Sequence, residues 1–180
     1  LRRGARGQLR IAAADLFGTG VHPEEVDETL RSHRWLGGDA GTQISLAVDL
    51  PAGAELTVRL SVSEVATDAA FTDLDVRFDG AVSRKNRHTG WFSGPEGLVY
   101  RAQFKITRDM ACRPIHLLEI HCPWEVPSEL PGESTDDRAL SIAVLGIELQ
   151  WQPFPSAVER LRRWVVRRWD RWQARRLRAA

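Results

Sequence analysis

Residues 44–62 read Ile-Ser-Leu-Ala-Val-Asp-Leu-Pro-Ala-Gly-Ala-Glu-Leu-Thr-Val-Arg-Leu-Ser-Val. Ile44, Leu46, Val48 and Leu50 alternate with small or polar residues, and Leu56, Val58, Leu60 and Val62 do so again. Successive side chains of an extended chain point to opposite faces, so a period of two describes strands with one face on a core and one in water. Pro51, Ala52 and Gly53 supply the turn between them. One-sided strands are antiparallel behaviour, because strands of parallel sheets are buried on both faces and read as continuous apolar runs.

The same pattern extends outward in both directions. Leu9–Ala13 precedes it, and Leu74, Val76 and Phe78 lead into Asp79-Gly80, a dipeptide that accepts the positive φ of a tight hairpin. Leu98–Ile106, Ile115–Cys122 and Leu140–Trp151 complete seven or eight strands. No segment of helical period interrupts residues 36–152, which argues against an α/β fold. The expected architecture is all-β: an antiparallel β-sandwich, jelly-roll-like, over residues 1–152.

From Pro153 the period changes. Ser156 is placed as an N-cap and Glu159 as its capping-box partner. Stepping residues as on a helix puts Leu161, Val165, Trp169 and Trp172 on one side, with Trp164 at its border, and Arg160, Arg163, Arg167 and Arg171 opposite. Residues 153–180 are therefore expected to hold an amphipathic helix, spanning 156–177. Charge divides at the same place. Residues 156–180 carry nine Arg against Glu159 and Asp170, a net +7, so the preceding 155 residues of this +1 chain carry −6. A Trp/Arg helix on an acidic body predicts contact with an anionic membrane surface through Leu161, Trp164, Val165, Trp169 and Trp172. It equally suits a helix docked on the sandwich or a connector to a further domain. Nucleic acid is not expected as a partner, because no basic patch on the body continues the tail's charge.

In a chain of 180 residues, 43% hydrophobic and 27% charged, a core forms without metal or disulfide support. No apolar stretch is long enough to cross a membrane as a helix, and no signal peptide is evident. The chain opens on Leu1 and holds its single methionine at Met110, so it reads as a piece of a longer protein, with cytoplasmic location expected, peripheral on the inner membrane if the tail binds there. Cys112 and Cys122 are expected to be buried free thiols.

Little in the sequence points to catalysis. Cys112, His116, His121 and Cys122 are close in sequence, but on a strand His116 and Cys122 would be about 20 Å apart and His121 would point the other way. Tetrahedral zinc needs its ligands around one ion, so no metal site is expected. There is no nucleophile elbow and no phosphate-binding glycine loop, and no cofactor is expected. Three tryptophans are more informative. Trp35, Trp91 and Trp124 fall in loop-like segments beside His, Arg or Glu. An indole next to hydrogen-bonding groups is the surface that a sugar ring requires, although a tryptophan can also plug the end of a sandwich.

Gly20-Val21-His22-Pro23-Glu24-Glu25, followed by Arg34-Trp35, resembles the G-x-H-x-x-E … R-W opening of a β-sandwich accessory domain found beside glycosyltransferases in bacterial capsule and O-antigen proteins. Asp137-Arg138-Ala139-Leu140-Ser141-Ile142-Ala143-Val144 with Ile147-Glu148-Leu149 is similar to its D-x-R-x-L-x-x-A-x-x-x-x-I-x-L signature, and Pro127-Ser128-Glu129-Leu130 to the stretch before it. The resemblance spans about residues 8–151. It implies association with surface-polysaccharide synthesis, through a glycan or a neighbouring glycosyltransferase domain, and no catalytic set. The residues themselves favour a structural role for the closing motif, with Arg138 fixing the start of a strand through a neighbouring acid.

The reading is a noncatalytic accessory or glycan-binding module, with His22, Glu24, Arg34, Trp35, Trp91 and Trp124 as its candidate glycan surface. The alternatives are a structural or oligomerisation domain with a membrane-surface helix, and a small carbohydrate-active enzyme using His22, Glu24, Glu25 or Asp137.

Overall fold

The alternation that begins after Gly53 carries directly into three dimensions. Leu56, Val58, Leu60 and Val62 are buried, while Glu55, Thr57, Arg59 and Ser61 between them are half-exposed. The structure, a computed structural model, describes residues 6–38, 41–94, 97–129 and 134–153. Among these residues there are eleven strands: β1 (Gly7–Ala12), β2 (Val21–Val26), β3 (Ser32–Leu36), β4 (Thr42–Leu46), β5 (Ala54–Val65), β6 (Asp75–Phe78), β7 (Ala81–Val82), β8 (Gly90–Gly94), β9 (Gly97–Lys105), β10 (His116–His121) and β11 (Ile142–Pro153). Two single-turn helices, α1 (Ala70–Asp73) and α2 (Arg108–Ala111), and two 3₁₀ turns fill connections.

Every strand pairing is antiparallel, and the strands form two sheets. One runs β2-β3-β11-β5-β9-β8 with β1 also on β11, and the other runs β4-β10-β6-β7. Their inner faces make one core, in which Leu56, Leu60, Phe104 and Leu149 of the first sheet meet Ile44, Phe78, Leu118 and Ile120 of the second. Full burial of each such side chain is worth about 1.5–3 kcal/mol. The expected antiparallel sandwich is the observed fold. The predicted helix over 156–177 lies outside the described residues.

Strand β11 organises the larger sheet. Along one edge it pairs with β5, and along the other it pairs first with β3 (Ile142–Val144) and then with β1 (Gly146–Trp151). The register shifts between Ala143 and Gly146, so the buried positions step from Val144 to Ile147 instead of by two. A β-bulge of this kind bends a strand locally. Gly146 sits where the free edge passes from one partner to the other, and a Cβ there would lie 2.7 Å from the Ile11 carbonyl.

Three strands fall in segments where the sequence shows no period of two. Gly18–Gly41 shows none, yet most of it is the hairpin β2–β3. β2 lies at the sheet's edge, where Pro23 needs no ladder donor and both faces are partly wet, so no alternation develops. β3 buries His33 and Trp35 on one face, and a buried histidine disguises the apolar period. β8, at the opposite edge, begins and ends on glycine. Both cysteines are free, but Cys112 is exposed rather than buried, and Cys122 is half-buried against the core.

The predicted Asp79-Gly80 turn forms, with φ of 51° and 77°, and joins β6 to β7. Its acid has a second role. The Asp79 carboxylate is buried, accepts from the Leu117 amide at 2.8 Å and pairs with His116 Nδ1 at 2.7 Å. His116 is fully buried and stacked on Phe78, so it is a core residue and not a ligand on the strand surface. Asp79→Ala should destabilise the protein by about 2–4 kcal/mol in urea unfolding, because it strands a buried imidazole and amide. Asp79→Asn, which tolerates positive φ and still accepts a hydrogen bond, should cost less than half as much.

Candidate functional site

Of the six residues expected to form a glycan surface, five have structural partners. His22 on β2 donates from Nε2 to the Ala139 carbonyl at 3.0 Å. Arg34 on β3 spends its guanidinium on backbone: Nε donates to Ala13 O at 2.7 Å, Nη1 to His22 O at 3.2 Å and Nη2 to Ala14 O at 3.3 Å. Its planar face lies 5.3 Å from the Phe17 ring centre. Arg34 therefore ties the turn after β1 to the β2–β3 hairpin. Glu24 accepts from the Ser32 hydroxyl across that hairpin. Trp35 is on a strand, not a loop, and packs with Leu140 and Ala143 in a small second cluster. Trp91 lies on β8, half-buried, its ring 5.2 Å from Phe71 and 5.3 Å from Tyr100. His22 and Arg34 come together; the three tryptophans do not form one exposed platform.

Trp124 is the exception. It lies outside the strands, remains 38% exposed, and borders a depression of about 390 Å³. Gly38, Gly41, Asp73, His121, Cys122 and Pro123 line the rest. Three elements converge here: the end of β10 brings His121, the segment after it brings Trp124, and α1 brings Asp73. Gly41, at φ +72°, is required by the close approach of His121, since a Cβ there would lie 2.7 Å from Nδ1 of the imidazole. Burial raises the pKa of the Cys122 thiol, which keeps it protonated and apolar at the floor. The depression thus offers an aromatic edge, a carboxylate and an imidazole over a glycine-lined wall. Asp73 had no sequence signal, because it sits on a helix of one turn. His121 was visible only as a failed metal ligand. Among the described residues no group of three His, Cys, Asp or Glu side chains is placed to hold a metal ion.

Of the residues weighed for acid–base chemistry, His22, Glu24 and Glu25 are engaged elsewhere. Arg138 grips Asp136 in a fork, Nε to Oδ1 at 2.9 Å and Nη2 to Oδ2 at 2.6 Å, and also binds Glu25. Glu25 lies 3.7 Å from His33 Nε2. The neighbouring acid that fixes the approach to β11 is therefore Asp136, while Asp137 is exposed. Hydrogen bonds from the Arg138 side chain and amide hold the Asp136 carboxyl at about 2, below its ordinary 3.8. A depressed carboxyl favours the fold above its unfolded value and loses that contribution as pH falls toward the folded one. Arg138→Leu should return Asp136 to the ordinary carboxylate range in an NMR pH titration. It should also remove the part of the stability that the native protein loses between about pH 4 and pH 2.

No family model matches the sequence, and no curated protein matches it. Solved structures do resemble it in part. The C-terminal CBM6 of LamC, a marine laminarinase from Zobellia galactanivorans, is 14% identical with a TM-score of 0.44, covering 79% of this chain and 98% of that one. A family 35 carbohydrate-binding module from Clostridium thermocellum is 10% identical with a TM-score of 0.44, covering 79% and 97%. The extracellular domain of ANXUR2 from Arabidopsis thaliana is 11% identical with a TM-score of 0.41, covering 76% and 40%. At these scores and identities the likenesses assign neither family nor ligand, and the sandwich rests on the strand pairing itself.

Proposed function

We propose that this chain is a noncatalytic glycan-binding module that serves a bacterial surface-polysaccharide biosynthesis protein, beside a glycosyltransferase domain. The observation that carries the reading is Trp124, a half-open indole over a depression that also holds Asp73 and His121. An apolar ring supplies the platform for a sugar's C–H face, and the carboxylate and imidazole supply acceptor and donor for its hydroxyls. The motif resemblance at Gly20–Trp35 and Asp137–Leu149 supports the biosynthetic setting. The test is calorimetric titration of the 180-residue chain with a panel of neutral oligosaccharides chosen from an array. At least one should bind, and Trp124→Ala should weaken it by about tenfold or more. Absence of any binder, or a Trp124→Ala variant that binds unchanged, contradicts the reading.

The tail carries the second part of the proposal: peripheral attachment to the cytoplasmic face of the inner membrane. Nine arginines and three tryptophans in residues 156–180 are the composition of an interfacial helix, and each basic residue near an anionic leaflet contributes about 1 kcal/mol. The chain should co-sediment with vesicles of anionic lipid at low salt, and deletion of 156–180 should abolish this. Sedimentation that survives the deletion, or fails at low salt, overturns it.

A further inference from the structure

The outer face of the larger sheet carries a row of charge that the sandwich does not need. In register across four neighbouring strands stand Arg10 on β1, Glu148 on β11, Arg59 on β5 and Arg101 on β9. Glu148 is the hub. Its carboxylate accepts from Arg10 Nε at 3.2 Å, Gln150 Nε2 at 2.8 Å and Gln8, and forms an ion pair with Arg59 Nη1 at 3.2 Å. Burial pushes this carboxyl up, but the hydrogen bonds from Gln150 and Arg10 and the charges of Arg59 and Arg10 outweigh it and leave it lowered, so the acid stays ionised.

The row therefore holds three guanidinium groups and one carboxylate, which contacts two of them. Arg59 and Arg101 are directly opposite each other in the β5–β9 pairing, an arrangement that destabilises a sheet. Among the described residues Arg101 has no carboxylate partner and lies 4.5 Å from the Phe92 ring centre. The Nε atoms of both arginines are buried without a hydrogen-bond partner there. Beside this row runs a groove of about 380 Å³, a size suited to a small ligand. Ser61, Gly146 and Val99 line it, together with Arg10, Arg59 and Glu148. Its wall is small or apolar and its rim is cationic, with the Arg10 side chain 76% exposed.

We infer that this groove is a second saccharide site and that it takes an acidic oligosaccharide, a sugar chain bearing carboxylates, because two guanidinium groups, Arg10 and Arg59, line it against the single carboxylate of Glu148, with Arg101 opposite Arg59 just outside the lining. The inference rests on the reading of the chain as a glycan-binding module but on different residues. Glu148 holds Arg10 and Arg59 in place before any ligand arrives, which limits the ordering that binding would otherwise require. Guanidinium groups recognise carboxylates through paired N–H donors, and neutral sugar hydroxyls do not replace that charge.

The experiment is titration of the whole chain with trigalacturonate, its methyl ester and sodium acetate. The acid should bind about tenfold or more tightly than the ester, which has the same length without the charge, and should weaken as salt rises from about 50 to 300 mM. Acetate should not compete at matched concentration. Arg10→Gln with Arg59→Gln should remove the preference for the acid, and a circular-dichroism melt establishes that this variant folds. Trp124→Ala should leave acid binding unchanged, so failure at Trp124 and failure here are separate results. Equal binding of acid and ester, no binding of the acid, an unchanged double variant, or loss of acid binding on Trp124→Ala alone overturns the inference.

Discussion

Strand β11 is the constraint on which the other elements depend. It is the last described strand, yet it hydrogen-bonds to β1, β3 and β5, three strands from the first third of the chain. The larger sheet therefore has no complete interior until residues 142–153 are in place. Loop closure over such separations must be offset by burial, and Ile142, Val144, Ile147 and Leu149 supply it against β4, β6 and β10. The bulge before Gly146 lets one strand serve two partners on a single edge. The groove and the clamp that braces the sandwich both follow from this arrangement. The groove lies where β1 meets β11, and the polar clamp of Arg138, Asp136 and Glu25 sits where the chain turns into β11.

Much of the fold was legible because long strands of a sandwich have one wet face. β5, β9 and β11 show it in the sequence, and Asp79-Gly80 announces its own hairpin through a dipeptide that suits two successive positive φ values. The strands that were not legible are at edges or carry a polar core residue. β2 and β8 have solvent on more than one side, so hydrophobicity does not alternate along them. In β3 the buried face reads His33, Trp35. β10 was legible as a strand, yet its buried face opens on His116, whose Nδ1 pairs with Asp79 from a turn 37 residues earlier. A pairing of that kind has no trace in local spacing.

The site was legible in its aromatic component alone. Trp124 stands out as a tryptophan among prolines after a strand, but Trp35 and Trp91 look the same in sequence and are packed. What separates them is the third dimension: β3 has strands on both sides, and Trp91 is covered by Phe71 of α1. Asp73 reaches the Trp124 depression from that same turn, so one short helix buries one tryptophan and equips another. Likewise His22, Glu24 and Arg34, grouped in sequence by their motif, are grouped in space as a brace for the β2–β3 hairpin. The cross-strand row of Arg10, Glu148, Arg59 and Arg101 is dispersed over 139 residue numbers and exists only through register.

Two surfaces of different character result, an aromatic depression at Trp124 and a cationic groove on the outer sheet, separated from the braces that keep the sandwich closed. On the proposed function, sugar contacts Trp124 and leaves the packed Trp35 and Trp91 untouched. The most direct measurement is the set of indole N–H resonances of ¹⁵N-labelled protein during titration with the best-binding neutral oligosaccharide. The account predicts a progressive shift of the Trp124 signal, with the Trp35 and Trp91 signals unmoved. A titration in which Trp124 stays fixed while bound sugar is detected, or in which Trp91 alone moves, would contradict it.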